Sequence, residues 1–554
     1  MPHLKSAPHR LSLSFARAAL MLAGASVAAL WAGCTSSQMF GPQSCRGAPG
    51  AEYCPCMSDG SCNLGFVCAT DLQVCVHLAG TPPPPPSTGG TTGVSSGGNT
   101  SSGAGGNTST GGTHVTGAGG SSASGGVTGK GGGAGSGLSR GPTPAMNGTN
   151  FPFPQNRQAS SCAYPASYDN NDVMAAYTKW KSDLITSNGA GGFQRVQRTS
   201  SDPLGNGGAT PLNSTVSEGI GYGMVIAVYM GDQALFDNLW KYEQLHLDSN
   251  GLMNWCIDAT GNTTMANGQT VGQGAATDAD EDMAWALVMA DKQWGGQGTL
   301  SKSYSAYALQ QIQNIWNHEI TDSKLAGPGD SWPGSAWDNI NISYFAPAYY
   351  RVFKQVDPSH DWDAVNQTVY DTILGPSDDF SKALSSGNKN MTNGLVPAWC
   401  NSNGGGSGAG PFYYQYDSCR TPFRIGVDWC LNGTMSSSNA AIDPSRAKHY
   451  LSLISSFFSG VGAANLVDGY NMDGTVNTSA HSVSDGQSAA FMGPAAVGAM
   501  SSTQYQSFLN DAYRLVKGNN LYIGGQYYDE CWTMMSMLMM TGNFLDYTQL
   551  TPAK

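Results

Sequence analysis

Four carboxylates stand within five consecutive positions of the segment ATDADED, residues 276–282. They are Asp278, Asp280, Glu281 and Asp282. Such a cluster is typical of a calcium loop, of a helix start or of an acid–base site, and only 12% of the chain is charged. The calcium interpretation fails because Met283 replaces the glycine of the sharp turn and Met289 replaces the bidentate glutamate.

A helix start accounts for the same cluster without any chemistry. Thr277 and Asp280 form a capping pattern ahead of the run EDMAWALVMADKQW, and the helix dipole favours acids in a first turn. Apolar residues recur in this run at helical spacing, namely Met283, Ala286, Leu287 and Ala290. The capping interpretation covers Asp280, Glu281 and Asp282, so a chemical role for Asp278 depends on the residues that accompany it.

A second acidic site is Glu218 in the segment SEGIGYGM, residues 217–224. Its glycines nearly match a dinucleotide-binding fingerprint, but Met224 replaces the last glycine and no strand is predicted before the segment. Each interior glycine costs a helix about 1 kcal/mol. We therefore expect a bulky ligand to approach the backbone beside Glu218, and the alternative is a solvated glutamate at a helix N-terminus.

A third site is YYQYDSCRTPFR, residues 413–424, in which Asp417 and Arg420 are three positions apart. It follows the glycine-rich segment AWCNSNGGGSGAGPF. The pattern fits a carboxylate that a neighbouring guanidinium keeps ionised. A purely structural Asp–Arg pair at a helix start would give the same pattern.

The elements that position these sites are mainly helical, and they occupy one linker-free stretch, residues 144–554. Further segments with a helical pattern are EGIGYGMVIAVYM, YALQQIQNIWNHEI, SYFAPAYYRVFKQV, HYLSLISSFF, AAFMGPAAVGAM, TQYQSFLNDAYRLV and YDECWTMMSMLMM. Few alternating strand patterns compete with them, and long loops rich in Gly, Asn, Ser and Trp lie between them. The sequence predicts an all-α, toroidal domain with its chemistry on the loops.

The three motifs together resemble glycoside hydrolase family 8. ATDADEDMAWALVMADKQW, residues 276–294, fits that family's A-[ST]-D-[AG]-D-x-x-[IM]-A signature. SEGIGYGM resembles its catalytic-acid segment, and YDSCRTPFR resembles its base segment. The resemblance extends over residues 145–550 and leaves out the N-terminal region. It implies an (α/α)6 barrel, an open substrate cleft across one end, and hydrolysis with inversion that needs no metal or cofactor.

By this resemblance, Glu218 is the general acid, Asp417 is the general base, and Asp278 holds and polarises the sugar at the cleavage subsite. Arg420 is expected to orient Asp417 and to lie in the substrate-binding site. Flat aromatic rings stack on sugar faces, and core packing is the alternative for each such ring. The aromatic residues expected to bind substrate are Trp255, Tyr416, Trp337 and Trp399.

The substrate implied is a β-linked polysaccharide, in particular a cellulose-type β-1,4-glucan that is cut internally. Asp417 stands where the chitosan-cutting branch of the family has asparagine, and GLMNWCIDATGN is similar to the endoglucanases. Xylan, mixed-linked β-glucan and chitosan are the alternatives. A non-catalytic carbohydrate-binding surface protein is the rival from another class, and loss of one of the three acids would favour it.

The N-terminal region predicts export. A basic start and a short apolar run make residues 1–33 an export signal. The small residues before Cys34 resemble a bacterial lipobox, in which Cys34 becomes a lipid-bearing N-terminus that binds the membrane. Trp31 departs from the lipobox preference for Leu, Val or Ile, so ordinary secretion is the alternative. The expected location is the cell surface or the outer membrane, or otherwise the medium.

Two further segments precede the helical domain. Residues 34–79 form a small cysteine-rich module, for which disulfides are the expected staple and a cysteine-only zinc site is the alternative. Residues 80–143 are rich in Pro and then in Gly, Ser and Thr, which predicts a disordered linker. The GVSSG within this linker matches a serine-hydrolase pattern but has neither the strand nor the helix that this pattern requires.

Cysteine number and charge add two expectations. Setting Cys34 aside leaves 12 of the 13 cysteines, an even number, and we hypothesise a Cys400–Cys419 disulfide that restrains the Asp417 loop. The formal net charge of -12 argues against nucleic acid, because phosphate binding needs clustered Lys and Arg. A neutral or cationic substrate and a monomeric protein are expected.

Overall fold

The computed structural model describes residues 66–69, 74–77, 149–199, 210–266, 269–332, 334–384, 392–477, 487–518 and 527–552. The expectations for the export signal, Cys34 and the linker lie outside these residues. Of the cysteine-rich module, the structure describes β1 (Phe66–Ala69) and β2 (Val74–His77), which pair antiparallel with Cys68 opposite Cys75. These two strands belong to one compact unit, and the remaining elements belong to another.

The second unit is built from helices. Within the described residues they are α1 (Asn170–Leu184), α2 (Ser217–Met230), α3 (Gln233–Glu243), α4 (Thr277–Gln293), α5 (Tyr304–His318), α6 (Pro347–Val356), α7 (Trp362–Leu374), α8 (Thr421–Asn432), α9 (Ser445–Val461), α10 (Ala489–Ala499), α11 (Gln506–Lys517) and α12 (Tyr527–Met540). None of these described helices combines the length and the apolar character that a membrane crossing requires.

Short strands and single helical turns connect the helices. The strands pair antiparallel, β3 (Ile185–Thr186) with β4 (Arg195–Val196), β5 (Thr215–Val216) with β6 (Cys256–Ile257), and β7 (Met265–Ala266) with β8 (Gln269–Thr270). The 3-10 turns are Ala336–Asp338, Ile342–Tyr344, Pro376–Asp378, Phe380–Lys382, Ala440–Ile442, Ala463–Asn465, Thr503–Tyr505 and Tyr547–Gln549. The pairing of β5 with β6 brings the segment before α2 against the segment that carries Trp255.

The even-numbered helices form a closed ring. Each packs against the next in the order α2, α4, α6, α8, α10 and α12, and α12 packs against α2. Each odd-numbered helix packs against a ring helix beside it. Nearly every side chain of α2, α4, α10 and α12 is buried, whereas α5 and α11 keep an exposed polar face. The arrangement is consistent with the expected (α/α)6 barrel.

The glycines of α2 are explained by packing within the protein. A Cβ on Gly219 would lie 2.9 Å from the Tyr527 ring at the start of α12, and one on Gly221 would lie 3.0 Å from the Ala279 carbonyl oxygen of α4. Both distances are at or below the limit of ordinary Cβ contacts, so glycine lets the ring helices approach one another. The packing of the ring helices therefore accounts for these glycines without the bulky ligand that the sequence suggested.

The acids that follow Asp278 do not cap α4. Ala276 is the N-cap of this helix, and no side chain caps its end. Burial is complete for the three acids that follow Asp278, namely Asp280, Glu281 and Asp282. Their hydrogen-bond donors are, in the same order, Gln311 at 2.9 Å, Tyr350 at 2.6 Å, and Arg424 at 2.5 and 2.7 Å. The predicted helix start is confirmed, since α4 begins at Thr277 with Asp278 and Asp280 in its first turn. The predicted capping is wrong because α4 belongs to the inner ring, where a buried carboxyl group needs an interior partner.

A disulfide between Cys162 and Cys430 ties the segment before α1 to α8. Cys400 and Cys419 are buried free thiols, so the hypothesised bridge between them is wrong. The Cys419 thiol donates instead to the Tyr416 carbonyl oxygen at 3.1 Å, within the turn that leads into α8. This turn holds Cys419 by a local contact and needs no crosslink to Cys400.

Arg424→Met should lower the free energy of unfolding by about 3–5 kcal/mol, because it leaves the Asp282 carboxylate buried without its ionic partner. These side chains join α8 to α4 and are 1% and 0% exposed. Guanidinium chloride unfolding followed by circular dichroism measures the change. As a control, Arg424→Met combined with Asp282→Leu should recover most of the loss, since an apolar pair can replace a buried ion pair. Equal losses in both variants would contradict an ionic origin.

Candidate active site

The three predicted acids lie at the N-terminal ends of ring helices. Glu218 is the second residue of α2, Asp278 is the second residue of α4, and Asp417 lies in the turn that leads into α8. A helix N-terminus stabilises negative charge through its dipole and its unpaired N–H groups. In α4, the Ala279 N–H donates to Asp278 Oδ1 at 2.9 Å. The fold thus gathers acids that are far apart in the sequence.

Arg420 joins all three acids, and its side chain is 1% exposed. Its Nη1 donates to Glu218 Oε2 at 2.5 Å and to Asp278 Oδ2, while Nη2 lies 4.0 Å from Asp417 Oδ1. Its Nε donates to Ser343 Oγ at 3.0 Å. Arg420 is the centre of the site, and its closest contacts are with Glu218 and Asp278 rather than with Asp417, its predicted partner.

Three tyrosines surround Glu218 and Arg420, and the sequence reasoning missed them. Tyr527 OH donates to Glu218 Oε1, and Arg420 Nη1 donates to Tyr222 OH at 3.3 Å. The Arg420 guanidinium lies over the Tyr344 ring, 5.0 Å from its centre. Tyr527 begins α12, and Tyr222 lies one turn after Glu218 on α2. Their position near the start of a ring helix is the signal that could have identified them.

Asp278 is enclosed, with 2% of its side chain exposed. Burial raises the pKa of Asp278 to about 7, with the Arg420 guanidinium opposing this shift and the Glu218 carboxylate adding to it. A carboxyl group that keeps its proton near neutral pH can donate a hydrogen bond as well as accept one. Asp278 is therefore suited to supporting a neighbouring group or a sugar hydroxyl.

Asp417 is partly accessible, with 18% of its side chain exposed. Its Oδ2 accepts hydrogen bonds from Gln415 Nε2 at 2.9 Å and from Trp399 Nε1 at 3.1 Å. Burial raises the pKa of Asp417, whereas the Arg420 guanidinium and the two N–H donors act in the opposite direction. These contacts hold the Asp417 carboxylate in one orientation.

Trp255 and Tyr416 are both half-buried beside the acids. The Trp255 carbonyl oxygen accepts the Ser217 N–H at 2.9 Å, so this tryptophan directly neighbours the start of α2. Its Nε1 donates to the Val271 carbonyl oxygen at 2.7 Å. Tyr416 OH donates to Asp468 Oδ2 at 2.8 Å. Hydrogen bonds thus hold the indole N–H of Trp255 and the hydroxyl of Tyr416 to other parts of the protein.

Trp337 and Trp399 differ in their surroundings. Trp337 is half-buried, and its Nε1 donates to Ser323 Oγ at 2.7 Å. Trp399 is 8% exposed and lies near the rings of Trp332 and Tyr344, at centroid distances of 6.2 and 6.3 Å. Because its indole N–H is donated to an acid, Trp399 belongs to the acid site more directly than Trp337 does.

The arrangement offers two partly accessible carboxylates and one enclosed carboxyl group around a single cation. The side chains of Glu218 and Asp417 are 20% and 18% exposed. Two such groups suit general acid and general base roles on either side of a scissile bond. Across the part of the chain that the structure describes, no group of three or more His, Cys, Asp or Glu side chains is arranged to hold a metal ion.

Comparison with known proteins identifies one family. Residues 151–542 match the model of Glycosyl hydrolases family 8. Endoglucanase A of Acetivibrio thermocellus is 38% identical over 377 residues, which cover 67% of this chain and 69% of the relative. Endoglucanase 2 of Ruminiclostridium josui is 37% identical over 404 residues, which cover 71% of this chain and 77% of the relative.

Two solved structures share the fold. The β-1,3-1,4-glucanase from Paenibacillus sp. X4 has a TM-score of 0.58 and 28% identity, with 71% of this chain and 98% of that chain covered. Rex8A from Paenibacillus barcinonensis has a TM-score of 0.53 and 20% identity, with 69% and 96% covered. Both matches cover almost the whole length of the solved chains, so the second unit of this protein corresponds to a complete fold.

The free energy of unfolding should fall as the pH rises from about 4 to about 7, in part because of Asp278. The folded protein holds this proton more tightly than the unfolded chain, in which aspartates titrate near pH ~4. The contribution is complete below that pH and is lost by about pH 7. Asp278→Asn does not titrate, so its denaturation midpoints between pH 4 and 8 should vary less with pH. Parallel profiles for parent and variant would contradict this origin.

Proposed function

The chain belongs to family 8 of the glycosyl hydrolases and is an endo-acting glycoside hydrolase of the endoglucanase type, and we propose that it cuts β-1,4-glucan with inversion. Glu218 is the general acid and Asp417 is the general base. Asp278 holds the sugar at the cleavage subsite. The observation that carries the assignment is the Arg420 guanidinium, around which all three carboxyl groups converge from three helix starts.

Inversion needs a water molecule on one face of the sugar and an acid on the other. Asp417 takes a proton from the water as the water oxygen bonds to the anomeric carbon. The glycosidic carbon–oxygen bond breaks on the opposite face, and the leaving oxygen takes the proton of Glu218. After the reaction, Asp417 is protonated and Glu218 is ionised. Proton exchange with solvent returns both groups to their starting states. The partial exposure of the two side chains supports these roles, because both must reach the substrate.

Arg420 stabilises the Glu218 carboxylate that this proton transfer produces. Once Glu218 has lost its proton, Oε2 is a charged acceptor for Nη1 at 2.5 Å, and Tyr527 OH donates to the other oxygen. Such charge-assisted hydrogen bonds stabilise the carboxylate that the reaction leaves behind. Asp278 shares the same Nη1, so a proton on Asp278 near neutral pH leaves more of the guanidinium's charge to Glu218.

We further infer that the ring of helices is an (α/α)6 barrel and that the acids lie in a cleft across one end of it. Support comes from the closed order of the six inner helices and from the meeting of the α2, α4, α8 and α12 starts at one place. The endoglucanase relatives favour β-1,4-glucan. Mixed-linked β-glucan is the first alternative because a β-1,3-1,4-glucanase shares the fold, and xylan and chitosan come after it.

The protein should release oligosaccharides from carboxymethylcellulose and from barley-type β-glucan faster than from xylan or chitosan. Glu218→Gln should lower kcat by about 10²–10⁴-fold, because an amide cannot supply the proton. A reducing-sugar assay on the four polymers measures both effects. Asp511→Asn makes the same carboxyl-to-amide change on a half-exposed side chain of α11 and should leave the rate unchanged.

The outcome against this assignment is undiminished hydrolysis by Glu218→Gln. Proton NMR of the same digestions tests the stereochemistry, since a β-linked polymer cut with inversion yields the α anomer first. A β anomer as the first product would rule out the mechanism while leaving the hydrolase activity in place.

We propose that the chain is exported and held at a membrane surface by a lipid on Cys34. The basic and apolar start supports export. The Cys162–Cys430 disulfide is in keeping with an oxidising compartment. Cys34→Ala should move the protein from the membrane fraction to the soluble exported fraction, as detected by fractionation and immunoblotting. Retention of this variant in the membrane fraction would count against the lipid anchor.

A further inference from the structure

The indole of Trp399 is directed at the Asp417 carboxylate. Its Nε1 donates to Asp417 Oδ2 at 3.1 Å, and Gln415 Nε2 donates to the same oxygen at 2.9 Å. Trp399 is 8% exposed and Gln415 is 3% exposed, so solvent competes little for either donor. A carboxylate oxygen has two lone pairs, and two buried N–H groups occupy both of those on Oδ2.

The other oxygen of Asp417 has different surroundings. None of the described residues donates a hydrogen bond to Oδ1, and Arg420 Nη2 lies 4.0 Å away from it. We propose that Trp399 and Gln415 are positioning residues that fix Asp417 so that Oδ1, and not Oδ2, takes the proton of the attacking water. This inference rests on the proposed role of Asp417 as the general base. It changes the expected role of Trp399 from stacking on sugar to holding the base.

The glycine-rich loop keeps the indole in this orientation. A Cβ on Gly410 would lie 2.1 Å from Trp399 Cδ1 and 2.6 Å from Nε1, so any side chain at this position displaces the ring. A Cβ on Gly408, in the same loop, would meet no atom within 4 Å. The rings of Trp332 and Tyr344 also lie near the indole, at centroid distances of 6.2 and 6.3 Å. The position of the indole therefore requires glycine at Gly410, whereas a side chain at Gly408 would not disturb the indole.

The two N–H donors also stabilise the charged form of the base. The charged and titratable groups that face Asp417 are Arg420, Glu218, Tyr344 and Cys419. Burial raises the pKa of Asp417, and the Trp399 and Gln415 hydrogen bonds lower it. Removing either donor must therefore raise this pKa. Because the base works only when ionised, the acidic limb of the activity profile should then move to higher pH.

The test compares Trp399→Phe and Gln415→Met with the parent protein on soluble β-glucan. Trp399→Phe keeps a flat aromatic ring, Gln415→Met keeps an unbranched side chain of similar size, and each variant loses an N–H donor. We expect kcat to fall about tenfold, the acidic limb of the kcat profile to move to higher pH, and KM to change little. Raised KM with an unmoved acidic limb would overturn the proposal in favour of sugar stacking by Trp399.

A matched pair of loop variants tests the positioning without touching the donors. Gly410→Ala should reproduce the loss of kcat and the shifted limb of Trp399→Phe, and Gly408→Ala should behave as the parent protein does. Equal behaviour of the two glycine variants would contradict the role of the loop. Circular dichroism melting curves identify any variant that fails to fold, and the conclusion then rests on Gln415→Met.

An activity-independent readout separates this inference from the proposed function. Carbon-13 NMR of aspartate-labelled protein, with the Asp417 signal assigned from Asp417→Asn, follows the carboxyl group through its titration. Its midpoint should move to higher pH in Trp399→Phe. An unmoved midpoint overturns the positioning role even in an active enzyme. A parent protein that hydrolyses none of the polymers overturns the proposed function, and the titration still decides whether Trp399 holds Asp417.

Discussion

A guanidinium buried to 1% exposure has to be surrounded by acceptors, and this requirement organises the site. The charge of Arg420 would be very costly in an apolar interior without partners. Its acceptors are the carboxyl groups of Glu218 on α2 and Asp278 on α4. The Asp417 carboxylate, in the turn before α8, lies 4.0 Å from Arg420 Nη2. These helices can supply them together only if their N-termini meet at one end of the closed ring. The position of each acid is therefore tied to the closure of the fold.

A related requirement applies to the acidic segment 276–282, because a buried carboxyl group also needs a partner. The first turns of α4 lie inside the protein, and every acid there has a partner in another element. Asp282 has Arg424 of α8, and Glu281 has Tyr350 of α6. Asp278 contacts Arg420 in the candidate active site, while its neighbours hold α4 to the helices around it. A buried ring helix with so many carboxyl groups keeps its register only if each of these groups finds its own hydrogen-bond partner.

Much of the helical pattern could be predicted from sequence, because a helix that packs against its neighbours carries apolar residues at regular spacing. The helices α4, α5 and α11 show this spacing. The three acids followed from motifs. The capping of α4 and the Cys400–Cys419 bridge were wrong, because local spacing does not show whether a helix start is buried or where a thiol points. The packing role of Gly221 could not be predicted either, since its neighbour Ala279 is brought there only by the closure of the ring.

The acids of the ring helices and the aromatic residues expected to bind sugar come from different parts of the fold. Glu218 and Asp278 lie on ring helices whose positions the whole packing determines. Trp255 and Trp337 lie on the connecting segments, where a change of length or composition disturbs few ring contacts. Such segments can change their side chains without moving the acids of the ring. The acid motifs of α2 and α4 are therefore constrained by the packing of the whole ring, whereas the segments that carry Trp255 and Trp337 are constrained less. For this reason the motifs indicate the class of reaction more firmly than the polysaccharide.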